Sequence, residues 1–419
     1  MNILLKSATI IDSSSAYHQQ QKDILIIDGK IKKIADKIPS KKEYSVVSED
    51  NLHVSIGWFD TSVSFGEPGF EERETIKNGL NVAAKSGFTA VAVNANTNPV
   101  IDNKSAIEFL INKSIHFATK LYPIGALTQG SEGIHMAELY DMQQSGAIAF
   151  ADYNKPIAND NLLKIVLQYA QNFDGLIFSF PKNNSIAGDG NANEGFNSTR
   201  LGMKGIPALA EHIQISRDLF LLEYAGGKLH IPTISTKKSV ALIKEAKKKG
   251  LNITCSVAAH HLVLTDDELP GFDSKNKVNP PLRTKEDTIA LTKGVISGVI
   301  DMITSDHNPI DIEHKKVEFS EAKDGTIGLE SLFGALNSVL KTSEYIAAIT
   351  TNPRKRFGIA IPEIEEGNQA ELTLFNPEGT YTFSTKDILS TSKNSIFIDK
   401  KLKGKVFGII ANNQLILNQ

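Results

Sequence analysis

The sequence predicts an α/β protein, in which a (β/α)8 barrel is joined to a small β-sandwich built from both chain termini. The chain has 419 residues, too many for one ordinary compact domain other than an α/β barrel with additions. In its middle, apolar runs alternate with helix-like segments, whereas both ends hold short strand-like segments. We therefore expect a composite sandwich over residues 1–53 and 363–419 and a barrel over residues 54–362.

The terminal segments are rich in Ile, Leu, aromatic and β-branched residues, which favour strands. The predicted strands are 2–11, 23–28, 30–35, 370–375, 394–398 and 404–417. Asp28-Gly29 and Asn412-Asn413 supply the residue types of tight hairpin turns. Neither end alone has enough strands to bury a core, so we expect the two ends to meet in one sandwich.

The central part repeats a strand–helix unit, which is typical of a barrel of parallel strands. The predicted strands are 54–60, 88–94, 115–122, 146–151, 175–180, 228–234, 251–257 and 299–305. The predicted helices are 71–86, 102–113, 135–144, 159–172, 204–224, 236–249, 284–297 and 329–341. Because barrel enzymes carry their chemistry on the loops after the strands, the long loops 181–203 and 258–283 are expected to shape a site.

Composition excludes several classes of function. The formal net charge is −3, from 45 basic and 48 acidic residues, so nothing favours nucleic acid as a partner. A single cysteine, Cys255, excludes a disulfide framework and a zinc site built from cysteines. The N-terminal residues lack a signal-peptide pattern, and no apolar run approaches the ~20 residues that span a bilayer. We expect a cytoplasmic protein without a membrane partner.

The residues that follow the predicted barrel strands are unusual for a metal-dependent hydrolase. They are Ser62, Ser64, Asn96, Asp152, Ser179, Thr233, His260, His261, Asp306 and His307. A divalent metal needs imidazole or carboxylate ligands that converge from several strands. Neutral hydroxyl groups dominate here instead, and these are weak zinc ligands.

Residues 57–71, which read GWFDTSVSFGEPGFE, resemble the dihydroorotase signature of the amidohydrolase superfamily. Further matches follow in order along nearly the whole chain. They are Asn96-Thr97-Asn98-Pro99, Phe150-Ala151-Asp152, Asn193-Glu194-Gly195, residues 205–211, 229–236, 260–262, 277–283, 304–307 and 325–330. The resemblance is to the long-chain, bacterial-type branch. It implies a barrel inserted in a β-sandwich and a role in pyrimidine synthesis, where carbamoyl aspartate and dihydroorotate interconvert with the help of zinc.

The departures from the family pattern fall on the site. By the resemblance, hydroxyl residues replace the four metal histidines, at Ser62, Ser64, Ser179 and Thr233. Gly66 stands where an arginine would grip the substrate carboxylate. The positions retained are Asp306 as a relic general acid/base, Asn96, Asn279 and His307 as substrate contacts, and Asp152 and Asp306 as remnants of the metal site.

These losses predict a chain that is inactive or strongly impaired in catalysis. A catalytic zinc lowers the pKa of its bound water from 15.7 to about 7, which corresponds to about 12 kcal/mol. A general base such as Asp306 contributes only ~10²–10⁴-fold. We expect no zinc cofactor, and an inactive or strongly impaired structural subunit that forms a homo-oligomer or a hetero-complex. The resemblance suggests aspartate carbamoyltransferase as the partner.

Two alternatives stay open at the level of the sequence. The first is a working dihydroorotase, or a hydrolase of a related cyclic amide. It would need a metal held by a non-standard set drawn from His260, His261, Asp152, Asp306 and His307, or a mechanism without a metal. The second is a sensor that binds dihydroorotate without turnover. Adjacent residues on one strand point to opposite faces, so the His260-His261 pair favours loop-supporting hydrogen bonds over a shared metal unless a turn intervenes.

Overall fold

The structure, a computed structural model, describes residues 1–418 and confirms the predicted fold class. The strands are β1 Asn2–Ile11, β2 Gln21–Ile27, β3 Lys30–Ala35, β4 Ser45–Val47, β5 His53–Ile56, β6 Trp58–Val63, β7 Phe88–Val93, β8 Lys120–Gly125, β9 Ala149–Phe150, β10 Leu176–Phe178, β11 Ala192–Asn193, β12 Gly205–Ile206, β13 Lys228–Ile231, β14 Ile253–Ala258, β15 Met302–Thr304, β16 Leu372–Thr382, β17 Lys401–Ala411 and β18 Gln414–Leu417. The α-helices are α1 Ile76–Lys85, α2 Lys104–Ser114, α3 Leu139–Gln144, α4 Asp160–Ala170, α5 Asn184–Ala187, α6 Phe196–Leu201, α7 Leu209–Ala225, α8 Lys237–Lys248, α9 Ala259–Val263, α10 Lys285–Ile296, α11 Ile312–Lys315, α12 Leu332–Val339, α13 Thr342–Tyr345 and α14 Thr351–Phe357.

The barrel is a parallel sheet in the order β6-β7-β8-β9-β10-β13-β14-β15. Its two outer strands meet beyond their carboxyl ends, where the backbone N–H of Ser64 donates to the carbonyl of His307 over 2.7 Å. The buried carboxylate of Asp60 joins the same strands, because it accepts from the N–H of Ser305 at 2.9 Å and from the hydroxyl of Thr304 at 2.5 Å. Asp60 therefore closes the barrel.

The termini form one mainly antiparallel sheet in the order β18-β17-β16-β5-β1-β2-β3, with β4 beside β1. Asp28 and Gly29 connect β2 to β3, and Asn412 and Asn413 connect β17 to β18. All four residues have positive φ, between 46° and 77°. This is the conformation that a two-residue turn of type I′ requires at both central positions. Both predicted hairpins are thus confirmed, and the two chain ends lie in the same sheet.

Two predicted strands are wrong. Residues 394–398 form turns rather than a strand, because Ile396 and Phe397 are buried by packing against loops and helices and not in a ladder. The predicted strand 54–60 is two strands, of which β5 belongs to the terminal sheet and β6 to the barrel. Gly57 separates them at a crowded point, since a Cβ atom there would lie 2.0 Å from the hydroxyl of Thr89.

Side chains alternate along the barrel strands between the interior and the surrounding helices, as the geometry of a strand dictates. A compact apolar cluster fills the barrel; its fully or nearly fully buried members are Phe59, Ala90, Ala92, Ile124, Ala149, Ala151, Leu176 and Phe178. A larger cluster lies between the strands and the helices. Among residues 1–418, none of the helices combines the length and apolar character needed to cross a bilayer.

Candidate active site at the mouth of the barrel

A small cavity lies at the carboxyl ends of the barrel strands, where the sequence predicts a site. Its volume is about 20 Å³. Its lining residues are Ser62, Asn94, Ala151, Tyr153, Asn154, Phe178, Phe180, Pro232, Thr233, Asn279 and Asp306. A cavity of this volume holds about one water molecule.

The two serines after β6 are engaged by asparagine side chains. The Nδ2 group of Asn94 donates to the hydroxyl of Ser62 over 3.0 Å and lies 3.4 Å from the hydroxyl of Ser64. Ser64 in turn donates to Oδ1 of Asn96 over 3.0 Å. The sequence interpretation missed Asn94. Its position two residues before Asn96, and therefore on the same face of an extended chain, is the signal that could have identified it.

The end of strand β10 and the residues after it present phenylalanines to the cavity. Phe178 and Phe180 line it, and Ser179 lies between them, fully buried and outside the cavity lining. Ser179 is directed towards Asp218 of α7, whose pKa is raised to about 6 by burial, against the effect of the neighbouring Arg217. This corrects the expectation that Ser179 occupies a ligand position. The residue that faces the cavity is Phe180.

Thr233 and Asn279 reach the cavity from the loops after β13 and α9, as the sequence suggests. The backbone of Thr233 has a φ of +45°, a left-handed conformation that β-branched residues rarely adopt. Its N–H donates to the hydroxyl of Ser256 over 3.2 Å. The turn that this conformation makes brings the threonine side chain, which is short and uncharged, to the edge of the cavity.

Asp152 does not reach the cavity. Its carboxylate accepts from the N–H groups of Leu127 and Thr128, both at 2.9 Å, and from the hydroxyl of Thr128 at 2.5 Å. These hydrogen bonds occupy the carboxylate of Asp152 and hold the loop after β8 in place. The next residue, Tyr153, has a φ of +52° and enters the cavity instead. Burial raises the pKa of the Tyr153 hydroxyl well above its ordinary value, and the nearby Asp306 raises it further.

Asp306 lines the cavity, and its carboxylate receives no hydrogen bond from residues 1–418. Burial raises its pKa well above the ordinary range, and the charge of Asp60 adds to this. His307 is fully buried and is not among the residues that line the cavity; its Nδ1 accepts from the N–H of Gly328 over 3.2 Å. Burial lowers the pKa of His307. Burial therefore disfavours the charged forms of both side chains.

The histidine pair after β14 begins the short helix α9. Nε2 of His261 lies 3.1 Å from the carbonyl of Pro280 and 3.2 Å from that of Pro281, so it donates to the loop that carries Asn279. Burial lowers the pKa of His261 to about 4. His260 is also buried, and neither ring nitrogen has a hydrogen-bond partner among the described residues. His261 thus has the loop-supporting role that the sequence favours.

These residues do not fit a zinc ion. Zinc in proteins takes thiolate, imidazole or carboxylate ligands, in most cases four. In the described part of the chain, no three side chains of the types His, Cys, Asp and Glu converge in a way that could hold a metal. The cavity instead offers a single carboxylate, that of Asp306, together with amide groups, hydroxyl groups, Phe180 and a phenol. Gly66, where the family resemblance expects an arginine, has no room for any side chain, because a Cβ atom there would lie 1.8 Å from the carbonyl oxygen of Phe70.

The fold has close structural counterparts. The L-hydantoinase (dihydropyrimidinase) of Arthrobacter aurescens superposes with a TM-score of 0.86 at 20% identity, over 99% of this chain and 96% of that one. The dihydropyrimidinase of Brevibacillus agri gives a TM-score of 0.84 at 20% identity, over 100% and 96% of the two chains. The chain is thus a (β/α)8 barrel protein with a terminal β-sheet, folded as the hydantoinases are.

Sequence relatives give the family. Residues 53–239 match the family model described as dihydro-orotase-like. The dihydroorotase of Pelotomaculum thermopropionicum is 37% identical over 100% of this chain and 99% of its own length. That of Geotalea daltonii is 34% identical over 99% of both chains. The chain belongs to the dihydroorotase family, as the resemblance of its motifs predicts.

Proposed function

We propose that this chain is a non-catalytic member of the dihydroorotase family that serves pyrimidine biosynthesis as a structural subunit. The observation that carries the proposal is the filling of the mouth of the barrel. Phe178, Phe180 and Tyr153 reduce the cavity to about 20 Å³, whereas pockets for small organic ligands measure ~300–1,000 Å³. Neither a zinc pair nor a pyrimidine ring is accommodated by such a space.

The remaining polar groups are poorly suited to hydrolysis without a metal. A general base must be ionised, and burial raises the pKa of Asp306, which disfavours its ionised form. Even an ideally placed base contributes ~10²–10⁴-fold. The nearly 9-unit change in the pKa of water that zinc supplies corresponds to about 12 kcal/mol. Without zinc, the chain therefore lacks most of the lowering of the activation barrier that the metal supplies to the family reaction.

The alternative of a working hydrolase with a non-standard metal site has no support in the geometry. Asp152 is bound to the loop at Thr128, and His261 is bound to the loop at Pro280. Nδ1 of His307 accepts from a backbone N–H. These side chains point to separate parts of the structure. The alternative of a dihydroorotate sensor is disfavoured because a cavity of about 20 Å³ is too small for the ligand. The arginine that would bind the ligand's carboxylate is also missing, since Gly66 occupies its position.

A metal and activity assay on purified protein tests the proposal. Zinc is quantified by mass spectrometry, and the cyclisation of carbamoyl aspartate is followed after reconstitution with zinc. The dihydroorotase of Pelotomaculum thermopropionicum, prepared in parallel, is the control. We expect less than about a tenth of an equivalent of zinc, since a structural-affinity site of ~10 kcal/mol would be saturated, and no turnover. Stoichiometric zinc together with turnover would refute the proposal.

We propose further that the chain assembles with aspartate carbamoyltransferase, the partner that the family resemblance suggests. The tagged full-length chain, expressed in its own host at native level, is purified under mild conditions, and the captured proteins are identified by mass spectrometry. Recovery of the carbamoyltransferase in stoichiometric amount is the expected result. Its absence, with other pyrimidine enzymes also absent, would remove the assembly role.

A further inference from the structure

A second cleft, here called the Lys182 cleft, has a volume of about 300 Å³. It lies between the loop after β10, the loop before α4 and the first half of α7. Within residues 1–418, it shares no lining residue with the cavity at the mouth of the barrel. Pockets for small organic ligands begin at about this volume. The Lys182 cleft therefore has room for a small metabolite, whereas the mouth cavity holds about one water molecule.

Lys182 brings an unpaired positive charge to the wall of the cleft. Its side chain is half-buried, and its Nζ has neither an ion pair nor a hydrogen bond within the described part of the chain. Burial lowers the pKa of this ammonium group, and the charge of Asp324 opposes the shift only in part. A partly desolvated charge without a partner is unfavourable. An anion in the cleft would supply the partner that the chain itself does not.

Gln214 of α7 is a second group without a partner in the same cleft. The residue is 3% exposed and lines the cleft. Its Nε2 has no hydrogen-bond partner among residues 1–418. Buried amide groups in native proteins are normally hydrogen-bonded, and an unmet donor destabilises the folded state. A ligand oxygen in the cleft would accept this missing hydrogen bond.

The second cation on the wall is already compensated. The guanidinium of Arg217 pairs with Asp218 at 2.6 Å and with Asp160 at 2.9 Å. Asp160 also lines the cleft, and its carboxylate is engaged by Arg217 and forms no ion pair with Lys182 among the described residues. Of the two cations that line the cleft, Lys182 is thus the one that is left to meet a ligand.

Neutral groups complete the lining. Asn184 and Ser185 are exposed and follow Lys182 closely in the chain, so an amide and a hydroxyl group stand near the ammonium group. Pro156 and Ile213 add apolar surface. Binding sites for small molecules commonly combine apolar walls with a few polar groups that fix the orientation of the ligand. The combination fits a short carbon skeleton that carries charged oxygen atoms.

We propose that the Lys182 cleft binds a small organic anion, a carboxylate or a phosphate ester, with Lys182 as the ionic partner and Gln214 as a hydrogen-bond donor. The site is separate from the mouth cavity, and it does not depend on whether the barrel is catalytic. It gives a metabolite a place to bind on a chain whose mouth cavity is too small for one.

Isothermal titration calorimetry on the full chain tests the proposal. Succinate is the carboxylate probe, glycerol 3-phosphate is the phosphate probe, and succinamide is the neutral analogue of succinate. The titrations are made at neutral pH in about 20 mM sodium chloride, because salt screens a partly exposed charge. We expect at least one of the two anions to bind at one site per chain with a Kd of about 1 mM or below. Succinamide should give no detectable binding.

Two variants locate the bound anion. Lys182→Met should weaken binding by about 10-fold or more, because it removes the charge and keeps the apolar stem. Gln214→Leu should weaken binding by about 3-fold or more and should not lower the thermal midpoint of the free protein, since the lost amide nitrogen has no partner in the chain. The matched control is Lys238→Met, which removes an exposed lysine of α8 outside the cleft and should leave binding unchanged.

Circular dichroism verifies that each variant is folded, and if Lys182→Met does not fold, the same criterion applies to Gln214→Leu. Binding of succinate alone assigns the site to carboxylates, binding of glycerol 3-phosphate alone assigns it to phosphate esters, and binding of both assigns it to either oxyanion. Absence of binding by both anions up to about 10 mM would overturn the proposal. Binding that succinamide shares, that Lys182→Met leaves intact or that Lys238→Met weakens equally would also overturn it.

Discussion

Replacing Phe180 by alanine tests whether the mouth of the barrel is packed as part of the hydrophobic core. Phe180 is 4% exposed and lines the cavity of about 20 Å³. Loss of a fully buried aromatic side chain removes ~1.5–3 kcal/mol of transfer free energy. If about 50 Å³ of the vacated space stays empty, the cavity adds about 1.2 kcal/mol at ~24 cal/mol per Å³. We therefore expect Phe180→Ala to lower the free energy of unfolding by about 3–4 kcal/mol.

The measurement is a urea titration of the wild type and the variant under identical conditions, with the midpoints and slopes compared. Phe196→Ala is the matched control, because Phe196 is 78% exposed and should change the free energy of unfolding by no more than about 0.5 kcal/mol. The result has a direct functional meaning. Residues in working sites are often suboptimal for stability, so their replacement tends to be neutral or stabilising. A loss below about 1 kcal/mol, or a gain, would contradict the reasoning that the site has become core.

Three further predictions concern buried polar groups. Glu211→Ala removes the carboxylate that faces Arg283 in a buried network, and it should reduce the free energy of unfolding by about 3–5 kcal/mol. The control is Glu223→Ala, which removes the exposed ion pair with Lys249 and should change the free energy of unfolding little. The folded pKa of His261, about 4, lies below the unfolded value of about 6.5, so its contribution of about 3 kcal/mol is complete above pH 6.5 and is lost as the pH falls towards 4. Urea titrations between pH 7 and 4.5 should show this decline, and a His261→Gln variant with an equally steep decline would contradict it. Burial raises the pKa of the Cys255 thiol, so Ellman's reagent at pH 8 should find no reactive thiol in the native protein and one in guanidinium; rapid reaction of the native protein would be inconsistent with this.

The barrel and the terminal hairpins could be predicted because their signals are local. Apolar periodicity identifies the strand–helix repeat, and helix α8 begins at Thr236, whose side chain accepts from the N–H of Ser239 as a helix cap. The turn residues Asp28 and Asn412 favour the left-handed backbone that their hairpins need. Residues 394–398 misled the prediction because aliphatic and aromatic residues buried under loops have the same composition as a strand.

The candidate site was located only in part. The sequence placed Ser62, Thr233, Asn279 and Asp306 at the cavity, and the structure brings these four together. It put Ser179 there as well, where the structure has Phe180. A shift of one residue along a strand exchanges its two faces, and no local signal fixes which residue of a short strand end faces inward.

The sequence by itself determined the fold class and the family, because both depend on residue identity and order. It also placed hydroxyl residues where the family resemblance expects metal histidines. Only the tertiary structure decided which side chains line the mouth of the barrel. Tyr153 and Phe180 meet at the cavity from different strands, and Asn94 engages the serines across neighbouring strands. Contacts of this kind join residues far apart in the chain, and they depend on side-chain direction and packing volume, which the order of residues alone does not specify.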